Sequence, residues 1–435
     1  MLLETVGNYY AGALMKMIIA LLTNGGKSMG HDNIFADIEK FVALHGKDII
    51  ELSDYLGTHP EISDEEYGSS KLFVEKLRFF GFDVEYPYMG IPTAFMAKKR
   101  SPQAALTSPK VALLAEYDAL PDIGHGCGHN LHGTMAVYAG IALAQILDKI
   151  DGEVWVVGTP SEETNGAKVL MAENGVFDEI DMAVMFHSYA GESYVDYRSL
   201  ALDGYEFVFE GLASHAAASP WLGRSAQNGM LLFMDAINML RLHIMDMCRI
   251  HAIVRSVSGA TNIIPDKAIC RVEVRADRRK ILDEMVESVF CCAKGAAVAT
   301  GTSVSWNKFM QSFDDMIPNK AAEELAEKVL ADHGIVCTGN HLPTASTDVG
   351  NVSHRCPAIQ PVFSITDKKI PLHTKEFAEA TMSAEGQEAL LISTVALSEI
   401  CLTVLTDKEL RGKIKGEFNE RTAQNTVNKR ILICF

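Results

Sequence analysis

Excess positive charge is what this chain of 435 residues most plainly lacks: 39 basic against 56 acidic residues leave a formal charge of −17. Such a balance repels phosphate backbones and anionic lipid, so neither nucleic acid nor a membrane is an expected partner. Regular cysteine spacing is missing too. Nine cysteines, at 127, 248, 270, 291, 292, 337, 356, 401 and 434, are an odd number without pattern. That argues against a disulfide framework and for a reducing, cytoplasmic compartment. The apolar stretch 10–22 is interrupted by Lys16, is too short to span a bilayer and has no clear small-residue cleavage site. Residues 1–28 are therefore expected to be an extension, with the domain proper beginning near Met29. Repeats and low-complexity segments are also absent. What remains is an ordinary globular composition, 48% hydrophobic and 22% charged, in a chain too long for one compact core.

What is present is a regular alternation. Helical spacing of apolar residues marks 33–56 and 65–80, and strands are expected over 82–86, 93–98, 111–117, 153–159 and 182–186, with helices over 133–150 and 167–174. Strands alternating with helices predict an α/β fold with a mostly parallel sheet, whose site lies at the carboxyl ends of the strands. After about Leu200 the order becomes strand 205–210, helix 224–245, strands 251–258 and 268–276, helix 279–298 and strand 303–307. This βαββαβ succession predicts a ferredoxin-like module inserted into the first domain. Helix 320–333, a polar loop through Asp348, strand 359–365 and helix 384–405 then resume the earlier pattern. The expected domains are thus 30–200 and 316–415 together, with 201–315 between them. The stretch after about 406 has no strong periodicity and suggests no role.

Chemistry-bearing residues gather just after the strands. The loop after the third strand carries Asp118, His125, Cys127 and His129 among Gly124, Gly126 and Gly128, thiolate and imidazoles on backbone that can bend sharply. A turn whose Cys and His merely pack is the alternative. After the next strand come Glu162 and Glu163, adjacent carboxylates of which one can bind a metal while the other stays free as a base; a solvated acidic loop is the competing reading. His187 ends the 182–186 run, as a ligand or a satisfied core histidine, and His373 sits in a comparable place late in the chain. Cys127, His129, Glu163, His187 and His373 suffice for two divalent ions sharing one bridging donor. In the inserted module, His215 can stabilise an oxyanion, and Asn262 and Arg275 can grip a substrate carboxylate or amide, although each also fits a surface or capping role. The segment Gly26-Lys27-Ser28-Met29-Gly30 matches the nucleophile elbow of serine hydrolases but precedes everything resembling the core sheet.

Read in order, the segments 59–61, 115–130, 159–166, 213–224, 261–266, 346–353 and 373–374 resemble the M20 metallopeptidase family, in the amidohydrolase branch that includes aminobenzoyl-glutamate hydrolase and aminoacyl-lysine or aminoacyl-arginine dipeptidases. The resemblance implies an aminopeptidase-like catalytic domain with an inserted lid that also forms a homodimer. It implies Cys127, His129, Glu163, His187 and His373 as ligands of two Mn²⁺ or Zn²⁺ ions and Glu162 as general base. His215 would serve the other subunit's active site, and Asn262 and Arg275 would contact substrate, a small N-acyl amino acid or dipeptide whose amide bond is hydrolysed. Glu116 departs from the pattern, standing where more distant members carry a ligand histidine. A non-catalytic dimeric binding protein and a serine hydrolase using Ser28 are the competing readings.

Overall fold

The computed structural model describes residues 31–339 and 341–426. The Gly26–Gly30 elbow match and the expected extension lie outside them. Two compact units form: residues up to Tyr197 with Ile317–Leu342 and Asn351–Thr422 in one, Arg198–Met316 and Pro343–Gly350 in the other.

The first unit opens with α1 (His31–Thr58) and α2 (Tyr67–Phe79), followed by β1 (Asp83–Glu85), β2 (Phe95–Arg100), β3 (Lys110–Ala115), α3 (His129–Ala144), β4 (Glu153–Gly158), α4 (Ala167–Glu173), β5 (Met182–Val184), β6 (His187–Tyr189) and β7 (Ser193–Tyr194). Every residue of β3 and β4 is buried, which is why both read as nearly continuous apolar runs rather than alternating ones. Parallel pairing joins β4 to β3 and β3 to β5, while β2 runs antiparallel on the outer side of β4. Helix α3 begins at His129, four residues before its apolar pattern does. Gly128 takes a left-handed φ of 80°, and a Cβ there would stand 2.0 Å from Ser188 Oγ, so only glycine permits the loop to turn into the helix at this point.

The second unit runs β8 (Ala201–Glu210), α5 (Ala226–Leu240), β9 (Arg249–Val257), β10 (Lys267–Ala276), α6 (Arg279–Thr300) and β11 (Ser303–Lys308). Its sheet order, β11-β8-β10-β9, is antiparallel throughout, with a ferredoxin-like arrangement of strands. Along β10 the residues Ala268, Cys270, Val272, Val274 and Ala276 are buried with the helices' apolar faces, and Arg271, Glu273 and Arg275 face the other way.

The chain then continues through α7 (Lys320–Asp332), β12 (Cys337–Thr338), α8 (Val349–Ser353), β13 (Ala358–Ile359), β14 (Val362–Ser364), α9 (Lys375–Thr381), α10 (Ala384–Thr406) and α11 (Lys408–Thr426). Strand β13 adds to β5, completing a six-stranded sheet of order β1-β2-β4-β3-β5-β13, and β12-β7-β14-β6 form a smaller one. Helix α10 is long and apolar enough to cross a membrane, yet it packs on α1 and α3 with most of its surface buried, as a core helix does. Helix α11 is a feature the sequence conceals. Its only apolar stripe is Leu410, Ile414 and Phe418, of which Ile414 is fully buried in the first unit's core, and Asn319 donates to the Ile414 carbonyl at 2.8 Å. Seven of the described cysteines are free thiols.

Candidate metal centre

The carboxyl ends of β3, β4 and β5 bring their loops together in the first unit. Three overlapping groups of donor atoms, each with all members within 4.8 Å of one another, result: Cys127, His129 and His187; Cys127, Glu163 and His373; His129, Glu162 and Glu163. All five residues expected as ligands, and the expected base Glu162, are among them. Cys127, His129 and Glu163 each belong to two of these groups. The loops are tied directly, since the His373 amide donates to the Gly126 carbonyl at 2.8 Å. His373 holds a left-handed φ of 62°, an uncommon conformation for a side-chain-bearing residue.

Hydrogen bonds set how each imidazole presents itself. His129 Nδ1 lies 2.9 Å from both the Asp118 carbonyl and Asp118 Oδ1, two acceptors, so Nδ1 donates and Nε2 faces the group. His187 Nδ1 lies 2.8 Å from the Ser188 carbonyl, which turns its Nε2 towards Cys127 Sγ at 3.4 Å. His129 Nε2 and Glu163 Oε1 are buried and have no hydrogen-bond partner. Buried atoms without a hydrogen bond, facing only Glu116 Oε2 at 3.5 Å and His373 Nε2 at 3.6 Å, are the feature a cation satisfies. The residues therefore fit a pair of divalent ions.

Burial and charge tune the same groups. Burial, with the Glu163 charge, pushes the Cys127 thiol well up, and burial presses His187 down to about 4. For His129, burial opposes protonation, but Asp118 outweighs it and holds the imidazole well above its ordinary value. His129 Nε2 would exchange that proton for a cation, and Cys127 would bind it as thiolate, so loading the site would release protons. Asp118, fully buried, spends its second oxygen on Ser63 Oγ at 2.8 Å and the Glu163 amide at 3.0 Å. One carboxylate thus orients both a ligand histidine and the acidic loop.

Residues 112–390 match the pattern of peptidase family M20/M25/M40. The Xaa-Arg dipeptidase of Mus musculus is 31% identical over 388 residues, covering 84% of this chain and 88% of that protein. The chain belongs to peptidase family M20/M25/M40. This M20 chain is a metal-dependent amidohydrolase. It is also 27% identical to a p-aminobenzoyl-glutamate hydrolase subunit of Escherichia coli (strain K12), over 89% of this chain and 95% of that one. A dinuclear metal-binding peptidase of family M20 from Bacillus subtilis has the same fold, with a TM-score of 0.62 at 18% identity over 83% of this chain and 99% of that one.

In the second unit of this M20 enzyme, His215 is exposed, and its Nδ1 accepts the amides of Ala217 and Ala218 at 3.2 and 3.1 Å. The proton therefore sits on Nε2, which points outward as a donor. Asn262 is beside it, its carbonyl accepting from the Ala216 amide at 2.8 Å next to the His215–Ile263 bridge. Arg275 is elsewhere. It lies near the far end of β10, paired with Glu273 at 3.2 Å and donating to Ser346 Oγ at 3.1 Å. The eight-residue advance along β10 from Lys267, which follows the Asn262 connection, to Arg275 spans roughly 26 Å.

Four further residues shape the centre, of which only Glu116 stood out in the sequence. Lys168, Glu116, His132 and Ser188 form a buried chain behind the ligands. Lys168 Nζ is 2.8 Å from Glu116 Oε1, both fully buried, and His132 Nδ1 is 3.4 Å from Glu116 Oε2. Burial would raise the Glu116 carboxyl, but Lys168 and the His132 hydrogen bond hold it well below its ordinary value. The sequence signals were the place of Glu116, where more distant members carry a ligand histidine, and the i,i+3 spacing of His129 and His132 at the start of α3, which places both on one helical face.

Proposed function

We propose that this chain hydrolyses the amide bond of small N-acyl amino acids or dipeptides at a pair of Mn²⁺ or Zn²⁺ ions held by Cys127, His129, Glu163, His187 and His373. The observation carrying this reading is the overlap of three donor groups around His129 Nε2 and Glu163 Oε1, buried atoms that make no hydrogen bond. Bound there, the ions lower the pKa of water and polarise the scissile carbonyl. Glu162 takes the proton from the attacking water and hands it to the leaving amine. His215, with its proton on Nε2, stabilises the oxyanion. The softness of Cys127 suits zinc, and the carboxylate and imidazoles suit manganese equally.

The named substrates of the relatives, an Xaa-Arg dipeptide and p-aminobenzoyl-glutamate, are both amides of an amino acid. That supports a substrate bearing a free carboxylate, which Arg275 or Asn262 would hold. The distance along β10 supports a homodimer, in which one copy supplies His215 and Asn262 to a site where the other supplies Arg275.

Amide hydrolysis measured with and without EDTA, then after restoring Mn²⁺, Zn²⁺ or Co²⁺, tests the reading on aminobenzoyl-glutamate, β-alanyl-lysine and acetylated amino acids. Activity must vanish and return. Indifference to chelator points instead to a serine hydrolase, and bound metal without turnover on any substrate points to a binding protein. Glu162→Gln is expected to keep its metal and lose nearly all turnover.

A further inference from the structure

A fourth donor group, Glu116, His129 and His132, also has its ligand atoms within 4.8 Å of one another, and all three side chains are buried. By distance alone it is as good a cation site as the others, and it shares His129 with them. The donors already surrounding it decide otherwise. The Ser188 amide donates to His132 Nε2 at 2.7 Å, so this nitrogen supplies its lone pair to the backbone. In the neutral ring the proton then resides on Nδ1, which faces Glu116 Oε2 at 3.4 Å. Lys168 Nζ occupies the other oxygen, Glu116 Oε1, at 2.8 Å. Both carboxylate oxygens accept a proton donor, and His132 has no lone pair left.

We infer that Lys168, a built-in cation on the Glu116 carboxylate, keeps Glu116 out of the ligand set. The inference rests on the dinuclear reading proposed above and adds what bounds it. An ammonium inside hydrogen-bond range of Glu116 repels a divalent ion from the same carboxylate, and at full burial little solvent screens that repulsion. The pair also acts on a neighbour. His132 holds Ser188, whose Oγ donates to the Cys127 carbonyl at 3.1 Å, beneath the Gly128 turn that leaves no room for a Cβ.

The test uses the full-length protein, stripped of metal and titrated with Co²⁺, reading bound cobalt by elemental analysis and the Cys127 thiolate-to-cobalt charge-transfer band by absorption. Removing one partner of a buried ion pair strands the other charge, whereas removing both is often tolerated. The decisive variant is therefore the neutral double substitution Glu116→Gln with Lys168→Met, in which the introduced amide oxygen still accepts from His132 Nδ1. It is expected to bind two Co²⁺ with affinity within about threefold of the unmodified protein and to keep the thiolate band. One Co²⁺ only, or affinity lower by a hundredfold, would make Glu116 a ligand and overturn the inference. Lys168→Met alone, recovered as soluble protein, frees Glu116 to join the existing pair and is expected to bind two Co²⁺ with an affinity that departs from the unmodified protein's by more than about threefold and returns to it when Glu116→Gln is added; an unchanged affinity in the single variant also overturns the inference. If the single variant is insoluble, the double variant decides by itself. Fewer than two Co²⁺ in the unmodified protein would instead defeat the dinuclear reading.

Discussion

Replacing Asp118 by Asn changes one oxygen for an NH₂ group and should be felt at the metal. Asp118 Oδ1 accepts from His129 Nδ1 at 2.9 Å, and Oδ2 accepts from Ser63 Oγ at 2.8 Å and the Glu163 amide at 3.0 Å. An asparagine can satisfy only one side. With its oxygen towards His129, its NH₂ abuts the fixed N–H of Glu163; flipped, the NH₂ abuts His129 Nδ1 and favours the tautomer that protonates Nε2. Either way a charge-assisted hydrogen bond worth about 1.5–3 kcal/mol is lost in a fully buried place. Outer-shell carboxylates of this kind typically contribute 10- to 100-fold in metal affinity, about 1.4–2.7 kcal/mol, so the two estimates agree. Competition of metal-free Asp118→Asn protein with a chromogenic chelator for Zn²⁺ or Mn²⁺ should show that weakening, with far-UV circular dichroism unchanged. Wild-type affinity for both ions would refute the claim that Asp118 orients the ligand set.

Three further outcomes are expected. Burial holds His187 at about 4 and His125 at about 3, both depressed below the ordinary 6.5. Their contribution is intact above pH 6.5 and is lost as pH falls towards those values, by roughly 3 and 5 kcal/mol as upper figures. The thermal midpoint of metal-free protein should therefore fall steeply between pH 6.5 and 4, and a flat profile would contradict it. Glu66 behaves oppositely: burial, with the Asp118 charge, raises it to about 7. Its stabilisation is present below the ordinary carboxylate value and is lost as pH rises through 7, by about 3 kcal/mol. Glu66→Gln keeps an acceptor for the Ser161 amide and can donate to Thr93; it should raise the melting temperature at pH 8 and leave it unchanged at pH 4. Finally, His215→Ala and Glu162→Gln, each inactive alone, should recover about a quarter of wild-type activity when the chains are mixed and reassociated, since half of randomly paired dimers are mixed and each mixed dimer has one intact site. No recovery would argue against a site completed by the partner.

Much of the fold can be read without coordinates because its signals are local. Apolar β3 and β4, the alternating burial of β10 and the strand-helix order all follow from short-range periodicity, and the loop glycines around Cys127 announce a sharp turn. Helix α11 was illegible for the converse reason, since its three apolar residues are too few to stand out from a charged surface. The start of α3 at His129 depended on Gly128 adopting a left-handed φ, which composition permits but does not impose.

By itself, then, the order of residues determined which side chains could bind metal and which strands deliver them, because a donor's identity and its place after an apolar run are properties of the chain alone. Only the tertiary structure decided what those donors do. That Asp118 aims His129 and that Lys168 claims Glu116 depend on distances between residues separated in sequence. No periodicity encodes such distances; packing sets them.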